Sequence, residues 1–358
     1  MTMLFRRTTL DAFACELAPV VVASDELETR VASALEKLRI PAGQLQALTG
    51  IRERRWWEEG QPLAEAAARA GKKALARAGV PVADLGGLIY AGVCRERFEP
   101  ATACRVAHFL GIQPQVLVRD ISNACLGVLN GVIDLANAIE LGQIRAGLVV
   151  SCESAREINE RAIATLLESP TAANYRETLA TFTGGSGAAA VVVTDGSYTA
   201  GRPRLEGAAA RAWPARHGLC WWGLTDKHDL PIPHLAGSAD LVRQTMVTDS
   251  VAVLRDGMDL GQRTWADLHA TLPEWQGVVD RVVGHQVGGP HREAMLRAFR
   301  LGPDQDFSTF EHLGNMGSAA LPAAVALAQD RGFLDSGRKV ALLGIGSGLN
   351  CLMLGVRW

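Results

Sequence analysis

The 358-residue sequence predicts an α/β protein assembled from two similar halves. Three observations carry this expectation. Short, continuous apolar runs alternate with longer runs of helical periodicity. Several segments recur in the same order in both halves, and each half has a glycine turn feeding an apolar strand. Continuous apolar runs suit strands covered on both faces, and their alternation with helices predicts a mixed or parallel sheet with helices on either side.

The first half has helical patterns at roughly 24–39 and 61–79, then a strand at Leu88–Val93. A helix at 101–110 ends in His108-Phe109-Leu110-Gly111. Next come Ile121-Ser122-Asn123-Ala124-Cys125, an apolar helix to about 141, the link Gly142-Gln143-Ile144-Arg145 and a strand at Gly147–Val150. Gly184-Gly185-Ser186-Gly187 leads into the strand 188–194. The second half repeats this with a strand at Val282–Gly284 and a helix over 290–300 ending in Phe299-Arg300-Leu301-Gly302. Then follow His312-Leu313-Gly314-Asn315-Met316-Gly317, a helix over 317–331, the link Ser336-Gly337-Arg338-Lys339 and a strand at Val340–Gly344. Gly344-Ile345-Gly346-Ser347-Gly348 feeds the last apolar run. The halves are therefore placed at 1–195 and 196–358. The segment 196–280 fits neither half well. Gly201–Arg216 is polar and is read as irregular, and Cys220-Trp221-Trp222 follows it. It reads as the start of the second half with an insertion near 200–225, either a cap over a ligand site or a surface excursion.

Composition narrows the function. Lys+Arg is 36 and Asp+Glu 38, and a net charge of -2 argues against a nucleic-acid surface. With 48% hydrophobic and 21% charged residues the chain is too apolar for disorder. No stretch reaches the ~18 apolar residues of a membrane span. Arg6 and Arg7 lack a following apolar region, so the start does not read as a secretory signal. Seven cysteines, an odd number in a long chain, read as reduced cytoplasmic thiols.

Cys125 opens the helix 124–141, whose polar positions Asn130, Asp134, Asn137 and Glu140 form one narrow stripe. Such a helix is expected to be almost fully buried. A thiol at its tip meets unpaired backbone N–H groups and the positive end of the helix dipole, which would lower its pKa. The rival reading is a small core residue. Cys152 is a second candidate nucleophile. His285 directly follows a strand, where α/β sheets place ligand-binding residues. Asn315 heads the second apolar helix, either as a cap or as a donor to a substrate carbonyl. Cysteine, histidine and asparagine together suit nucleophilic acyl chemistry. The turn at Gly344–Gly348 is not a dinucleotide loop, since no helix follows it. No G-x-S-x-G elbow is present. Cys104 and His108 alone do not make a metal site.

At this point the residues resemble a known family. Thr49-Gly50-Ile51-Arg52-Glu53-Arg54-Arg55-Trp56 is similar to the T-G-I-x-x-R-R signature of ketoacyl-ACP synthase III-like enzymes of the thiolase superfamily. Asn123-Ala124-Cys125-Leu126-Gly127, His285, Gly314-Asn315 and Gly346-Ser347-Gly348 match in order. Cys94–Cys104 further resembles the OleA family of head-to-head acyl-CoA condensing enzymes of long-chain olefin synthesis. The run Asn315-Met316-Gly317-Ser318 departs from synthase III proper. The resemblance implies a duplicated, five-layered αβαβα thiolase fold, an obligate homodimer and a Cys125, His285, Asn315 triad. It implies oxyanion donors at Cys125 and Gly348, and Glu99 as a base reaching the partner subunit's site. It implies a coenzyme A entrance at Arg52, Arg54, Arg55 and Trp56. Coenzyme A thioesters would be the substrates, with no separate cofactor or metal. The expected reaction joins two long-chain acyl-CoA molecules, with downstream olefin-pathway enzymes as further partners. The alternative is a decarboxylative synthase III acting with malonyl-ACP.

Overall fold

The computed structural model describes residues 1–225, 243–275 and 277–358. Among these, ten strands hydrogen-bond in one sheet order. In the N-terminal part, Leu117–Asp120 and Ala146–Glu153 lie parallel on either side of Gly87–Tyr90. Gly187–Thr194 and Thr9–Leu17 then follow antiparallel. In the C-terminal part, Arg281–Gly284 lies parallel to Lys339–Gly346, followed antiparallel by Asn350–Arg357 and Arg204–Ala212. An isolated parallel bridge from Val282 to Asp306 takes the place of the Leu117–Asp120 pairing. The two strand sets meet where Thr9 pairs with Arg204.

Successive strand residues face opposite sides, and this builds the layers. Leu88, Tyr90, Leu148 and Val150 face one way, onto the helices Leu63–Ala78 and Thr102–Leu110. Ile89 and Val149 face the other way, onto Gly127–Glu140 and Ala320–Asp330. That helix pair also covers Val283, Val340 and Leu342 of the second strand set. Val282, Ala341 and Leu343 point outward to the helices Ser250–Thr271 and Gly289–Phe299. The result is helices, strands, helices, strands, helices: a thiolase-type five-layer α/β fold.

Local sequence sets the element ends. Pro62 precedes Leu63–Ala78 and Gly79, at φ 70°, closes it. The expected single helix at 24–39 breaks at Val31 into Ser24–Arg30 and Ala32–Leu38. Residues 204–212, expected to be irregular, instead form a strand with Leu205, Ala208 and Ala209 buried. Trp221 and Trp222 lie on Cys220–Thr225, which pairs with Arg243–Thr248 as a two-stranded ribbon. No helix among the described residues is long and apolar enough to cross a membrane.

Candidate active site

Cys125 lies in the short 3-10 turn Ala124–Leu126, immediately before the central helix. Its predecessor Ala124 sits at φ 45°, a left-handed conformation that costs a non-glycine residue about 1–2 kcal/mol. The turn is held in place by side-chain amides. Asn123 Nδ2 donates to Asn130 Oδ1 at 2.7 Å, and Asn350 Nδ2 donates to Asn123 Oδ1 at 3.0 Å. Asn350 Nδ2 also reaches the Ser347 carbonyl at 3.2 Å, so the Ser347–Leu349 turn that carries Gly348 is tied to the cysteine turn.

The second half closes on the same point. The Cys125 turn packs against the turn Gly317–Ala319 and against Lys339–Gly346. A Cβ on Gly346 would stand 3.4 Å from the Cys125 nitrogen. Asn315 is fixed through its own backbone, donating to Thr183 at 2.8 Å and accepting from Gly185 at 2.9 Å. Its Oδ1 accepts the Gly317 N–H at 3.0 Å, which assigns the Nδ2 end of the amide as its donor. His285 follows the strand Arg281–Gly284 and donates its N–H to the Leu343 carbonyl at 2.9 Å, three residues before Gly346. Thus the Cys125, Asn315 and Gly348 turns are brought together, with His285 on the flanking strand end. Beside His285 opens a small pocket lined among others by Met258, Met295, Phe299, Ile345 and His291.

The electrostatics differ from the sequence expectation. Cys125 was expected to have a lowered pKa. Instead burial pushes its thiol up to about 12, with the charges of Cys220 and Glu153 adding to the effect. The helix proper starts only at Gly127, so desolvation at the sulfur outweighs the favourable helix end. His285 and His291 are both pushed down to about 4 by burial, and they face each other electrostatically. Both imidazoles are therefore neutral at pH 7. His285 Nδ1 is buried with no partner among the described residues. A neutral thiol and a neutral imidazole suit a nucleophile that loses its proton only as it attacks.

Other expected residues separate. Cys152 is fully buried in the outer-face core, closed off from any substrate, whereas Cys125 is partly exposed, so Cys152 is no rival nucleophile. Arg54 is fully buried rather than at an entrance, donating to the Val22 carbonyl and to Ser24 Oγ. Trp56 is 3% exposed and packs with Val22, Leu27 and Phe182, so its ring offers no open face to an adenine. Arg52 is exposed and Arg55 half-buried. Glu99 lies on an exposed loop tip next to Phe98, which is 79% exposed. The loop is anchored on both sides: Glu96 accepts from the Ala64 N–H, and Asp120 accepts from Thr102 and Ala103. Among the described residues no group of three or more His, Cys, Asp or Glu is placed to hold a metal.

Sequence reasoning missed Glu153, a buried carboxylate at the end of Ala146–Glu153. The signal was present in Ser151-Cys152-Glu153-Ser154, where a charged residue ends an apolar strand.

A duplicated five-layer fold with a cysteine, a histidine and an asparagine gathered at the meeting of its halves defines a thiolase-superfamily acyltransferase. Residues 47–196 match the model for the thiolase N-terminal domain, and residues 276–358 that for the 3-oxoacyl-[acyl-carrier-protein] synthase III C-terminal domain. The chain is 49% identical over 359 residues to the acyl-CoA:acyl-CoA alkyltransferase of Shewanella oneidensis, covering 99% of this chain and all of the relative. It is 32% identical over 357 residues to that of Xanthomonas campestris, with coverage of 99% and 100%. Crystal structures of Xanthomonas campestris OleA superpose with a TM-score of 0.90, covering 99% of this chain and 98% of that one. They include a cerulenin-bound form and a variant with bound lauric acid and lauroyl-CoA. The chain belongs to the acyl-CoA:acyl-CoA alkyltransferase family, the OleA group of thiolase-fold enzymes.

Proposed function

We propose that this enzyme joins two long-chain acyl-CoA molecules by a Claisen condensation without decarboxylation, the first step toward a long-chain olefin. The sulfur of Cys125 attacks the first thioester, its proton passes through neutral His285 to the departing coenzyme A, and an acyl-enzyme remains. The N–H groups of Cys125 and Gly348 hold the oxyanion, where one such donor is worth on the order of 10²–10³ in rate. The second acyl-CoA places its thioester carbonyl against His285 and Asn315. An unactivated acyl chain has no carboxylate to lose, so a base must take its α-proton. The partner subunit's Glu99 is that base in a homodimer. The carbanion attacks the acyl-enzyme, Cys125 leaves, and hydrolysis of the β-ketoacyl thioester gives a 2-alkyl-3-ketoacid. Coenzyme A thioesters are the substrates, with no further cofactor. Arg52 and Arg55 suit the coenzyme A phosphates. The seven unpaired thiols fit a cytoplasmic setting, and downstream olefin-pathway enzymes would take the product.

The observation that carries this reading is the tip bearing Glu99, pinned at both ends yet exposed at Glu99 and Phe98. Solved relatives with a substituted cysteine, histidine or glutamate concern the same three residue types. The test is mass spectrometry of products from myristoyl-CoA as sole substrate. A condensed product with coenzyme A release supports the reading. Strict dependence on malonyl-ACP overturns it in favour of decarboxylative synthesis, and release of free fatty acid alone identifies a hydrolase.

A further inference from the structure

Glu153 is 4% exposed, and its carboxylate is satisfied by two separate segments. It accepts the Val93 N–H at 2.9 Å and the Cys94 N–H at 3.0 Å. It also accepts the Ser318 N–H at 3.2 Å and the Ser318 hydroxyl at 2.5 Å. The first segment runs on to Glu99. The second is the turn that follows Asn315. Further bonds rigidify both. Ser151 Oγ lies 2.6 Å from Ser318 Oγ, and Tyr90 donates to the Cys94 carbonyl at 2.6 Å. Gly317, at φ 53°, closes its turn directly onto the carboxylate, where a Cβ would come within 3.2 Å of the Glu153 carboxyl carbon.

We propose that Glu153 is a positioning residue for carbon–carbon bond formation, fixing on one carboxylate both the Asn315 turn of its own site and the segment that carries Glu99 to the partner's site. This rests on the condensation reading above. The negative charge opposes thiolate formation at Cys125, so its presence does not serve the acylation step. What it does serve is geometry in the second step: four donors converge on it, and both segments that it holds act after the acyl-enzyme has formed. A carboxamide in its place turns an NH₂ group toward one set of those donors, leaving a buried N–H without an acceptor.

The test uses the full-length dimeric enzyme with myristoyl-CoA. It follows first-turnover coenzyme A release, the rate of condensed product, and alkylation of Cys125 by iodoacetamide. Glu153→Gln should lower condensation about 10- to 100-fold while leaving coenzyme A release within about twofold and alkylation no slower than in the parent enzyme. Ser318→Ala, which removes only hydroxyl bonds, should give the same split, smaller in size, and decides the matter if Glu153→Gln does not fold. Equal losses in both steps, or an unchanged condensation rate, overturn the proposal. Asn315→Ala serves as the reference. If it acylates and does not condense while the two variants show no split, only the role of Glu153 fails. If it condenses normally, the Asn315 turn has no part in the second step and the proposal fails; if the parent enzyme itself forms no condensed product, the condensation reading fails and the proposal with it.

Discussion

Replacing Gly127 by alanine would put a methyl carbon 2.2 Å from the Ala91 carbonyl oxygen. Carbon–oxygen contacts settle at about 3.3 Å, so about 1 Å must be found. Ala91 cannot easily supply it, because its N–H is bonded to Val150 at 2.8 Å within the buried strand layer. The head of the helix Gly127–Glu140 has to move instead, and Cys125 is two residues away in the turn that leads into it. A displacement of about 1 Å at a reacting atom costs about 10²-fold in rate, equivalent to ~2.7 kcal/mol. Gly127→Ala should therefore slow coenzyme A release from myristoyl-CoA, and iodoacetamide labelling of Cys125, by about two orders of magnitude. Gly131→Ala is the control. Its Cβ would meet the Val149 side chain at 2.7 Å, one helical turn further on. It should lower stability by about 1–3 kcal/mol through overpacking with far less effect on acylation. A Gly127→Ala enzyme that acylates at the parent rate would refute the argument that this helix head fixes the nucleophile.

Other consequences are equally open to measurement. Glu99→Ala should leave the first coenzyme A release intact and stop condensation, and condensed product at the parent rate would remove Glu99 as the base. His285 and His291 have folded pKa values near 4, below the unfolded value of about 6.5. The unfolded chain therefore binds about two more protons between these limits, and stability falls as pH drops from about 6.5 to 4 by up to about 2.7 kcal/mol per pH unit. Urea denaturation at pH 6.5 and 5 measures this slope, and His291→Asn should roughly halve this contribution. The buried Trp275 donates Nε1–H to Glu206 at 2.8 Å, so Trp275→Phe should cost about 1–3 kcal/mol in urea unfolding without changing the acylation rate.

Much of the fold could be read from the repeated segments. The apolar strand expected at 188–194 is Gly187–Thr194, and the helix expected at 101–110 is Thr102–Leu110. What escaped notice was elements with weak local signals. Arg204–Ala212 is rich in alanine, which has little strand preference, and is a strand because Asn350–Arg357 and Thr2–Leu4 pair on either side of it. The 22-residue helix Ser250–Thr271 carries Gly257 and Gly261, which depress helix propensity, while packing decides its state. At the site, Cys125, His285 and Asn315 could be singled out because the duplication brings loop positions of both halves toward one centre. Burial was not legible. Arg54 and Trp56 look like surface groups in the sequence, and the fold encloses them. The direction of the Cys125 shift depended on how deeply the sulfur is enclosed, which no spacing rule encodes.

The middle layer has a consequence for how the molecule can come apart. Ile139 from one repeat and Val325 from the other belong to a single apolar cluster that also holds Val191 and Leu354. Neither repeat owns a finished interior. Severed between 195 and 196, each piece would present one side of its sheet and one flank of its helix to water. The two halves are thus joined as the members of a dimer would be, by an interior that both must supply.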